Sequence, residues 1–264
     1  MPFIEINGVD HVFQARKGTS ETAFQALSNV SLTIEKGEFF VIVGPSGCGK
    51  STLLDLLAGL QTPTSGTIQV NGETISGPNL NRGFVFQQYA LFPWRNTLEN
   101  VAFGLEQKGI KKKERLERAY SYLELVGLAE FAKRYPHELS GGMKQRVAIA
   151  RSLAYDPDIL LMDEPFAALD AQTRENLQDE LLTIWSKTQK TIIFITHGIE
   201  EAIYLGQRVG IMSARPGEIK QIVNIPTFKA GGTQDIRSLP IFSEFRQDIW
   251  NKLHGHKKEI EFMI

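Results

Sequence analysis

The sequence has one cysteine, almost no imbalance of charge and no long apolar run. The lone Cys48 excludes an internal disulfide framework and agrees with a reducing compartment. Lys and Arg total 29 against 30 Asp and Glu, so a net charge of −1 offers no global field for nucleic acid, and no nucleic-acid partner is expected. No stretch approaches the ~18 apolar residues of a membrane-spanning helix, and the first residues show no secretory signal. A membrane role would therefore come through a partner.

The length and composition favour a globular α/β protein. The 264 residues suffice for one large domain, or for a core domain with an inserted subdomain. A hydrophobic content of 42% supports a sizeable core and argues against disorder.

A glycine-rich stretch lies between an apolar strand pattern (39–43) and a helical pattern (53–57). Its G-x-x-x-x-G-K-S order is typical of a phosphate-binding loop, because glycines let backbone N–H groups turn inward around phosphate oxygens. The following helix adds its positive end, Lys50 supplies a charge for the terminal phosphates, and the Ser51 hydroxyl is placed to ligate Mg²⁺. The sequence thus predicts nucleotide binding, with a purely structural turn as the alternative. The loop residues are Gly44, Pro45, Ser46, Gly47, Cys48, Gly49, Lys50, Ser51 and Thr52.

Two carboxylates follow a second apolar strand pattern at 159–162. Asp163 is a natural partner for Mg²⁺, because parallel strands present their carboxyl ends to ligands. Glu164 is placed to polarise a water for attack on a γ-phosphate. An acidic turn without function is the alternative, which the phosphate-binding loop makes the weaker one.

A third turn contains Ser140, Gly141 and Gly142 and precedes a predicted helix at 142–154. Backbone N–H groups and a hydroxyl at a helix start form an anion site by the same physics as the first loop. Taken alone, this turn is more often a plain helix N-cap. The apolar face of the helix is predicted to comprise Met143, Val147, Ala150 and Leu153.

The remaining pattern predicts a β-rich start, a helical middle and a return to alternating strands and helices. Because buried strands are joined by helices, we expect a parallel sheet. In the helical middle, Leu116, Ala119, Tyr120, Leu123 and Val126 share one face. Strands are predicted at 3–13, 30–43, 83–87, 159–162, 191–195, 209–212 and 219–225, a hairpin at 67–75 around Asn71-Gly72, and helices within 96–132 and at 142–154, 171–187, 199–205 and 238–253.

Taken in order, these motifs resemble the ATP-binding subunit of ABC transporters over nearly the whole chain. The corresponding segments are Walker A at 44–52, the Q-loop glutamine Gln87, the signature at 139–143, Walker B at 159–163 followed by Glu164, the D-loop at 168–170 and the switch histidine His197. Further segments at 86–94, 135–143 and 162–166 resemble the nitrate/sulfonate/taurine/bicarbonate importer branch. The resemblance names an oxyanion class and no single solute.

The resemblance implies an α/β fold of the P-loop NTPase (ABC ATPase) type, with a mostly parallel core sheet, an antiparallel β flank and an inserted helical subdomain. It implies one nucleotide-binding domain over residues 1–264. Its parts are expected to be the β flank and P-loop core (1–95), the helical subdomain (96–139), the core with Walker B and the switch histidine (140–237) and a C-terminal helical tail (238–264).

The same resemblance implies that ATP and Mg²⁺ are bound between two subunits. ATP lies between the P-loop of one chain and Ser140, Gly141 and Gly142 of the other, in a head-to-tail dimer. Gln87 contacts Mg²⁺ or water alongside Ser51 and Asp163, and His197 hydrogen-bonds the γ-phosphate. Phe13 matches an aromatic position that stacks on adenine; a strand-core Phe is the equal alternative. Cys48 is expected to be shielded from thiol reagents by Mg-ATP, unless it is a buried residue that never reacts.

The implied function is ATP hydrolysis that energises import of a small oxyanion-type solute through transmembrane permease subunits. An identical or related second ATPase and an extracytoplasmic solute-binding protein are the other expected partners, and the expected location is the cytoplasmic face of the inner membrane. The alternatives are a soluble ABC ATPase in translation or DNA maintenance and a nucleotide-dependent module that does not hydrolyse ATP. The sequence departs from the family pattern at Met143, Ala168 and Gly198, where Gln, Ser and Asp are commoner.

Overall fold

The computed structural model describes residues 2–14, 22–226 and 236–254. None of the helices in these ranges is long and apolar enough to cross a lipid bilayer. The strands there are β1 (Ile4–Phe13), β2 (Phe24–Ile34), β3 (Phe39–Val43), β4 (Ser65–Val70), β5 (Glu73–Thr74), β6 (Arg82–Val85), β7 (Ile159–Asp163), β8 (Thr191–Thr196), β9 (Arg208–Met212) and β10 (Ile219–Asn224). The α-helices are α1 (Lys50–Ala58), α2 (Thr97–Gln107), α3 (Lys112–Leu125), α4 (Gly141–Ala154), α5 (Ala171–Thr188), α6 (Ile199–Leu205) and α7 (Pro240–His254).

Two sheets organise the molecule. The larger sheet has the order β10-β9-β3-β8-β7-β6, in which all neighbours are parallel except the antiparallel pair β9 and β10. The smaller sheet, β2-β1-β4-β5, is antiparallel throughout. The predicted α/β class, with a mostly parallel core sheet and an antiparallel flank, is confirmed.

Strand β3 is buried on both faces, which explains its unbroken apolar sequence. Phe39 and Val41 point into a cluster with the helices α2 to α7. Phe40 and Ile42 point the other way, into a cluster with α1 and the antiparallel sheet. The central strand therefore joins two cores, and the loop that follows it is anchored from both sides.

Helix α4 is buried over most of its surface. Val147, Ala150 and Leu153 are buried as predicted, but Ala148 and Ile149 are buried too. Met143, at the first turn, is only partly covered. The predicted apolar stripe is thus too narrow, because α2 and α3 cover further sides of the helix.

Three predictions of local structure need correction. The 30–43 segment forms two strands, separated by a turn at Gly37 whose φ is 76°. The strand predicted at 83–87 ends at Val85, so Gln87 lies in a loop. Tyr120 is 41% exposed and does not share the buried face of α3 with Ala119.

The hairpin prediction is confirmed. Asn71 and Gly72 have φ values of 50° and 79°, as a two-residue type I′ connection requires. Helices α2 and α3 lie within the segment predicted as a helical subdomain, and the tail residues 255–264 lie outside the described residues.

Asn100 fastens the start of the helical segment. Its side chain is fully buried; Nδ2 donates to the carbonyls of Phe92 and Arg95 at 3.1 and 3.0 Å, and Oδ1 accepts from the Phe92 N–H at 2.8 Å. One amide therefore satisfies several backbone groups of the loop that leads into α2.

We expect Asn100→Ala to lower the free energy of unfolding by about 3 kcal/mol, because buried backbone groups lose their partners. Urea denaturation followed by circular dichroism measures this. Asn176→Ala, at an exposed position of α5, is the matched control and should stay within about 0.5 kcal/mol of the parent. Equal stability of the two variants would contradict the assigned role of Asn100.

Candidate nucleotide site

The predicted functional residues follow neighbouring parallel strands at one edge of the sheet. The P-loop follows β3, and His197 follows β8. Asp163 is the last residue of β7, and Glu164 comes directly after it. Gln87 lies two residues beyond β6. These four strands are consecutive in the sheet, in the order β3-β8-β7-β6. Their carboxyl ends form the edge where α/β proteins bind ligands.

Gly49 shapes the turn from the P-loop into α1. Its φ of 97° is left-handed, and a Cβ there would come within 2.8 Å of the Ala26 carbonyl oxygen. Only glycine meets both constraints without strain. Gly47 also has a positive φ, 73°, so successive backbone N–H groups turn inward as an anion cradle requires.

The Lys50 ammonium lies inside this loop. Its Nζ donates to the carbonyl oxygens of Gly44 and Pro45 at 2.8 and 3.0 Å, and lies 3.7 Å from Glu164 Oε1. The residue is 5% exposed. A buried cation held by loop carbonyls and one carboxylate is positioned to meet anionic phosphate oxygens.

Ser51 and Asp163 meet across the gap between α1 and β7. The Ser51 hydroxyl donates to Asp163 Oδ1 at 3.1 Å. Burial raises the pKa of the Asp163 carboxyl; the Ser51 hydrogen bond and Lys50 oppose this shift, while Glu164 and Asp55 add to it. A hydroxyl and a carboxylate at this distance are the hard oxygen ligands that suit Mg²⁺, so the residues present fit the ion.

Glu164 connects the P-loop to the end of β8. Its backbone is left-handed, with φ of 42°, and its N–H donates to the Ile195 carbonyl oxygen at 3.0 Å. Its Oε2 lies 2.9 Å from His197 Nδ1, and its Oε1 faces Lys50. Strained backbone at non-glycine residues is often found at functional sites, and here it turns the carboxylate between an ammonium and an imidazole.

Gln87 lies at the start of a turn that is held from α4. Tyr89 and Ala90 both have left-handed backbones, with φ of 57° and 47°. The guanidinium of Arg151 donates to their carbonyl oxygens at 3.0 and 2.6 Å. Burial lowers the pKa of Arg151, whose charge those two carbonyls solvate. The loop that carries Gln87 is therefore tied to the helix that begins at Gly141.

Two clefts meet at Glu164. The P-loop cleft, of about 420 Å³, is lined by loop residues together with Gln87, Asp163 and Glu164. The C-terminal cleft, of about 1010 Å³, is lined by Gly44, Pro45, Glu164, His197 and residues of α5, α6 and α7. The structure thus brings Gln87, Ser51 and Asp163 together on one side of Glu164, and His197 on the other.

The turn at Ser140 stands apart from both clefts. Ser140 is the N-cap of α4, and its Oγ accepts the Met143 N–H at 3.3 Å. A Cβ on Gly142 would lie 2.7 Å from Thr173 Cγ2, so this glycine lets α4 and α5 approach closely. None of Ser140, Gly141 and Gly142 lines either cleft. Within one chain, therefore, these residues do not join the P-loop.

Comparison with known families decides the assignment. Residues 27–167 match the family model described as ABC transporter. The chain belongs to the ABC transporter family. The match spans more than half of the sequence and includes the P-loop, Gln87, the Ser140 turn and Glu164, so the chain is an ABC ATPase.

Curated relatives extend the match to nearly the whole chain. The nitrate import ATP-binding protein NrtD of Synechocystis sp. is 49% identical over 97% of this chain and 97% of its own. The taurine import ATP-binding protein TauB of Roseobacter denitrificans is 46% identical over 98% of this chain and 97% of its own. The predicted resemblance to this importer branch is confirmed.

A solved relative supports the fold and the enzyme class. The ATP-binding cassette MJ0796, described as a dimer in a post-hydrolysis state bound to ADP and Pi, is 35% identical. It aligns with a TM-score of 0.74 over 85% of this chain and 100% of its own.

Two aromatic residues of this ABC ATPase end the β1–β2 ladder; Phe24 lines the P-loop cleft, whereas the predicted adenine-stacking residue Phe13 lines neither cleft. Phe13 is 40% exposed and contacts His11 edge-on at 4.7 Å between ring centroids, so it is not a core residue. Phe24 pairs with Phe13 across β1 and β2, is 46% exposed and lines the cleft. Sequence reasoning missed Phe24; its signal is an aromatic residue at the first position of β2, after a stretch of polar sequence.

Cys48 is a buried residue of the P-loop. It is 1% exposed, and burial raises the pKa of its thiol. Both properties oppose attack by thiol reagents even without nucleotide. The structure thus favours the alternative in which Cys48 is unreactive over protection by Mg-ATP.

The raised pKa of Asp163 predicts a conflict between stability and binding. A carboxyl whose pKa is raised by folding loses stability as pH rises from its ordinary value of 3.8 through its folded value. Without nucleotide, Asp163→Asn should therefore raise Tm at pH 7, and the gain should shrink as pH falls toward 3.8. Mg-ATP should stabilise the variant less than the parent.

Thermal denaturation at several pH values, with and without Mg-ATP, measures both effects. Asp10→Asn is the control of opposite sign. The Ser65 hydrogen bond lowers the pKa of Asp10, so loss of the Asp10 carboxylate should lower Tm at pH 7. A lower Tm for Asp163→Asn at pH 7 would overturn the interpretation.

Proposed function

We propose that this chain is the ATP-hydrolysing subunit of an importer that takes up a small oxyanion-type solute, such as nitrate, bicarbonate, taurine or an alkanesulfonate. Placement of Glu164 between Lys50 and His197, beside the Ser51–Asp163 pair, carries the proposal of hydrolysis. The solute class is supported by near full-length relatives named for nitrate and taurine import.

In this proposal the P-loop N–H groups and Lys50 bind the β- and γ-phosphates of ATP. Ser51, Asp163 and Gln87 hold Mg²⁺, which offsets negative charge on the phosphates when bound. Glu164 accepts a proton from the attacking water and orients it for in-line attack. Because the ionised Glu164 carboxylate can only accept, His197 Nδ1 donates to it, and Nε2 donates to the γ-phosphate in the ring form in which both nitrogens carry a proton.

A second ATPase subunit, identical or related, completes the site. Ser140, Gly141 and Gly142 lie at a helix start, where N–H groups and a positive dipole attract anions, yet they line neither cleft of their own chain. A head-to-tail dimer would place them over the partner's P-loop. The solved relative MJ0796 is described as a dimer, which supports the pairing of two ATPase subunits. Phe13 and Phe24 would flank the adenine, each offering an exposed ring to its face.

The remaining partners in the proposal are permease subunits and an extracytoplasmic solute-binding protein. The ATPase would be peripheral, on the cytoplasmic face of the membrane. The helical segment 96–139 would contact the permease, and Arg151 would relay movement between α4 and the loop that carries Gln87. No observation favours a role in translation or DNA maintenance, and the paired Glu164 and His197 speak against a module without hydrolysis.

Replacing the proposed base should separate binding from hydrolysis. We expect Glu164→Gln to bind Mg-ATP with an affinity near that of the parent, to hydrolyse it ~100-fold more slowly or worse, and to accumulate as an ATP-bound dimer. Phosphate release, equilibrium binding and size-exclusion chromatography with ATP measure the three effects. Glu114→Gln, on the exposed side of α3, is the control. Parental turnover by Glu164→Gln would contradict the assignment of the base.

Transport itself is tested with the complex. We expect the co-purified ATPase–permease complex in liposomes, supplied with its solute-binding protein, to increase ATP hydrolysis in the presence of one of nitrate, bicarbonate, taurine or an alkanesulfonate. Chloride and an uncharged amino acid serve as control solutes. Purification without any membrane protein, or hydrolysis that none of the four solutes stimulates, would overturn the importer proposal while leaving ATP hydrolysis intact.

A further inference from the structure

The two neighbours of His197 are tied together by one buried hydroxyl. Thr196 is 2% exposed; its Oγ1 accepts the Gly198 N–H at 2.9 Å and donates to Glu201 Oε2. The turn that carries His197 is therefore closed by the side chain of Thr196 and fastened to the first turns of α6.

The second carboxylate oxygen of Glu201 is connected by hydrogen bonds to the C-terminal part of the chain. Gln178 of α5, 4% exposed, donates Nε2 to Glu201 Oε1 at 2.9 Å. Its Oε1 accepts a hydrogen bond from the guanidinium of Arg237 at 2.7 Å. Arg237 precedes α7 and also lies 3.8 Å from the ring centroid of Tyr204. Donors and acceptors thus alternate consistently from Arg237 to the Glu201 carboxylate.

The His197 ring has little packing to hold it. Its side chain is 58% exposed. The imidazole contacts Glu164, the proposed base, so this contact does not fix the ring independently of the group that it must be aligned with. Gly198, where the family more often has Asp, is a conformationally permissive residue that adds no side chain to the turn. The placement of the imidazole therefore depends on the backbone of the turn. That backbone is held by the hydrogen bond from the Gly198 N–H to Thr196 Oγ1, and Glu201 orients this hydroxyl.

We propose that Glu201 is a positioning residue for His197, acting through Thr196, and that Gln178 and Arg237 extend this support to the C-terminal segment 236–254. The inference rests on the role proposed above for His197. Thr196, Gln178, Glu201 and Arg237 all line the C-terminal cleft together with Glu164 and His197. A continuous set of hydrogen bonds thus runs from Arg237 to the Gly198 N–H, next to His197, so that a displacement of the C-terminal segment would be felt at the turn that carries the imidazole.

The first test removes single hydrogen bonds with near-isosteric changes. We expect Thr196→Val and Glu201→Gln each to lower kcat for ATP about tenfold or more while the Kd for Mg-ATP stays unchanged, because they misplace His197 and leave the P-loop intact. Thr196→Ser, which keeps the hydroxyl, should recover most of kcat. Thr183→Val and Glu114→Gln, at exposed positions of α5 and α3, are the matched controls.

The decisive test is a double-mutant cycle. If Thr196 and Glu201 act through His197, then adding either substitution to His197→Ala should cause no further loss of kcat. Likewise, Arg237→Gln should lower kcat in the parent and have no further effect in Glu201→Gln. Losses that multiply in these pairs would overturn the proposal, as would parental kcat in Thr196→Val and Glu201→Gln.

Histidine ring NMR gives a readout independent of turnover. In the full chain, Glu201→Gln should shift the His197 ring nitrogen resonances, and Glu114→Gln should not. Thermal denaturation identifies any variant that does not fold. If Thr196→Val does not fold, the cycle with His197→Ala is carried out with Glu201→Gln alone. None of these measurements involves solute or permease. The positioning role of Glu201 can therefore be contradicted while the importer proposal stands, and the importer proposal can be contradicted while the role of Glu201 stands.

Discussion

The site depends on the contacts of one carboxylate, that of Glu164. It lies between the Lys50 ammonium and the His197 imidazole, and these groups follow three neighbouring parallel strands of the larger sheet. The contacts are possible only because β3, β8 and β7 end at the same edge, which in turn requires both faces of the sheet to be buried. The two hydrophobic cores therefore fix the chemistry as well as the fold, since a shift of one strand would part the carboxylate from one of its partners.

Short strands with unbroken apolar runs could be predicted from the sequence to within a residue, as β7 and β8 show. Such runs are dictated by burial on two faces and leave little freedom of interpretation. The 30–43 segment was harder, because apolar residues stand on both sides of the Gly37 turn and hide it. The end of β6 was also missed: Phe86 is apolar but 40% exposed, and its ring stacks on Phe84 outside the ladder.

The P-loop residues, Asp163, Glu164 and the Ser140 turn could be proposed from local patterns, namely a glycine loop, a strand that ends in carboxylates and a helix start, whereas Gln87, His197 and Phe13 were proposed from the family resemblance. Their grouping was not predictable. That Glu164 separates two clefts, that Phe24 faces one of them, and that Arg151 binds the carbonyls of Tyr89 and Ala90 all depend on contacts between distant segments. The Thr196–Glu201–Gln178 path is of the same kind, because it joins β8, α6 and α5 through side chains that have no shared sequence pattern.

The cap of α4 has a consequence for selectivity. Because Ser140 Oγ already accepts the Met143 N–H, one of its lone pairs is occupied and its proton is directed away from that N–H. The backbone N–H groups beside it are donors as well. An approaching group thus meets several N–H and O–H donors but only the one remaining lone pair of the Ser140 hydroxyl, which favours phosphate oxygens over ammonium ions and other donors. The polarity of this contact is set inside the helix, before any partner arrives.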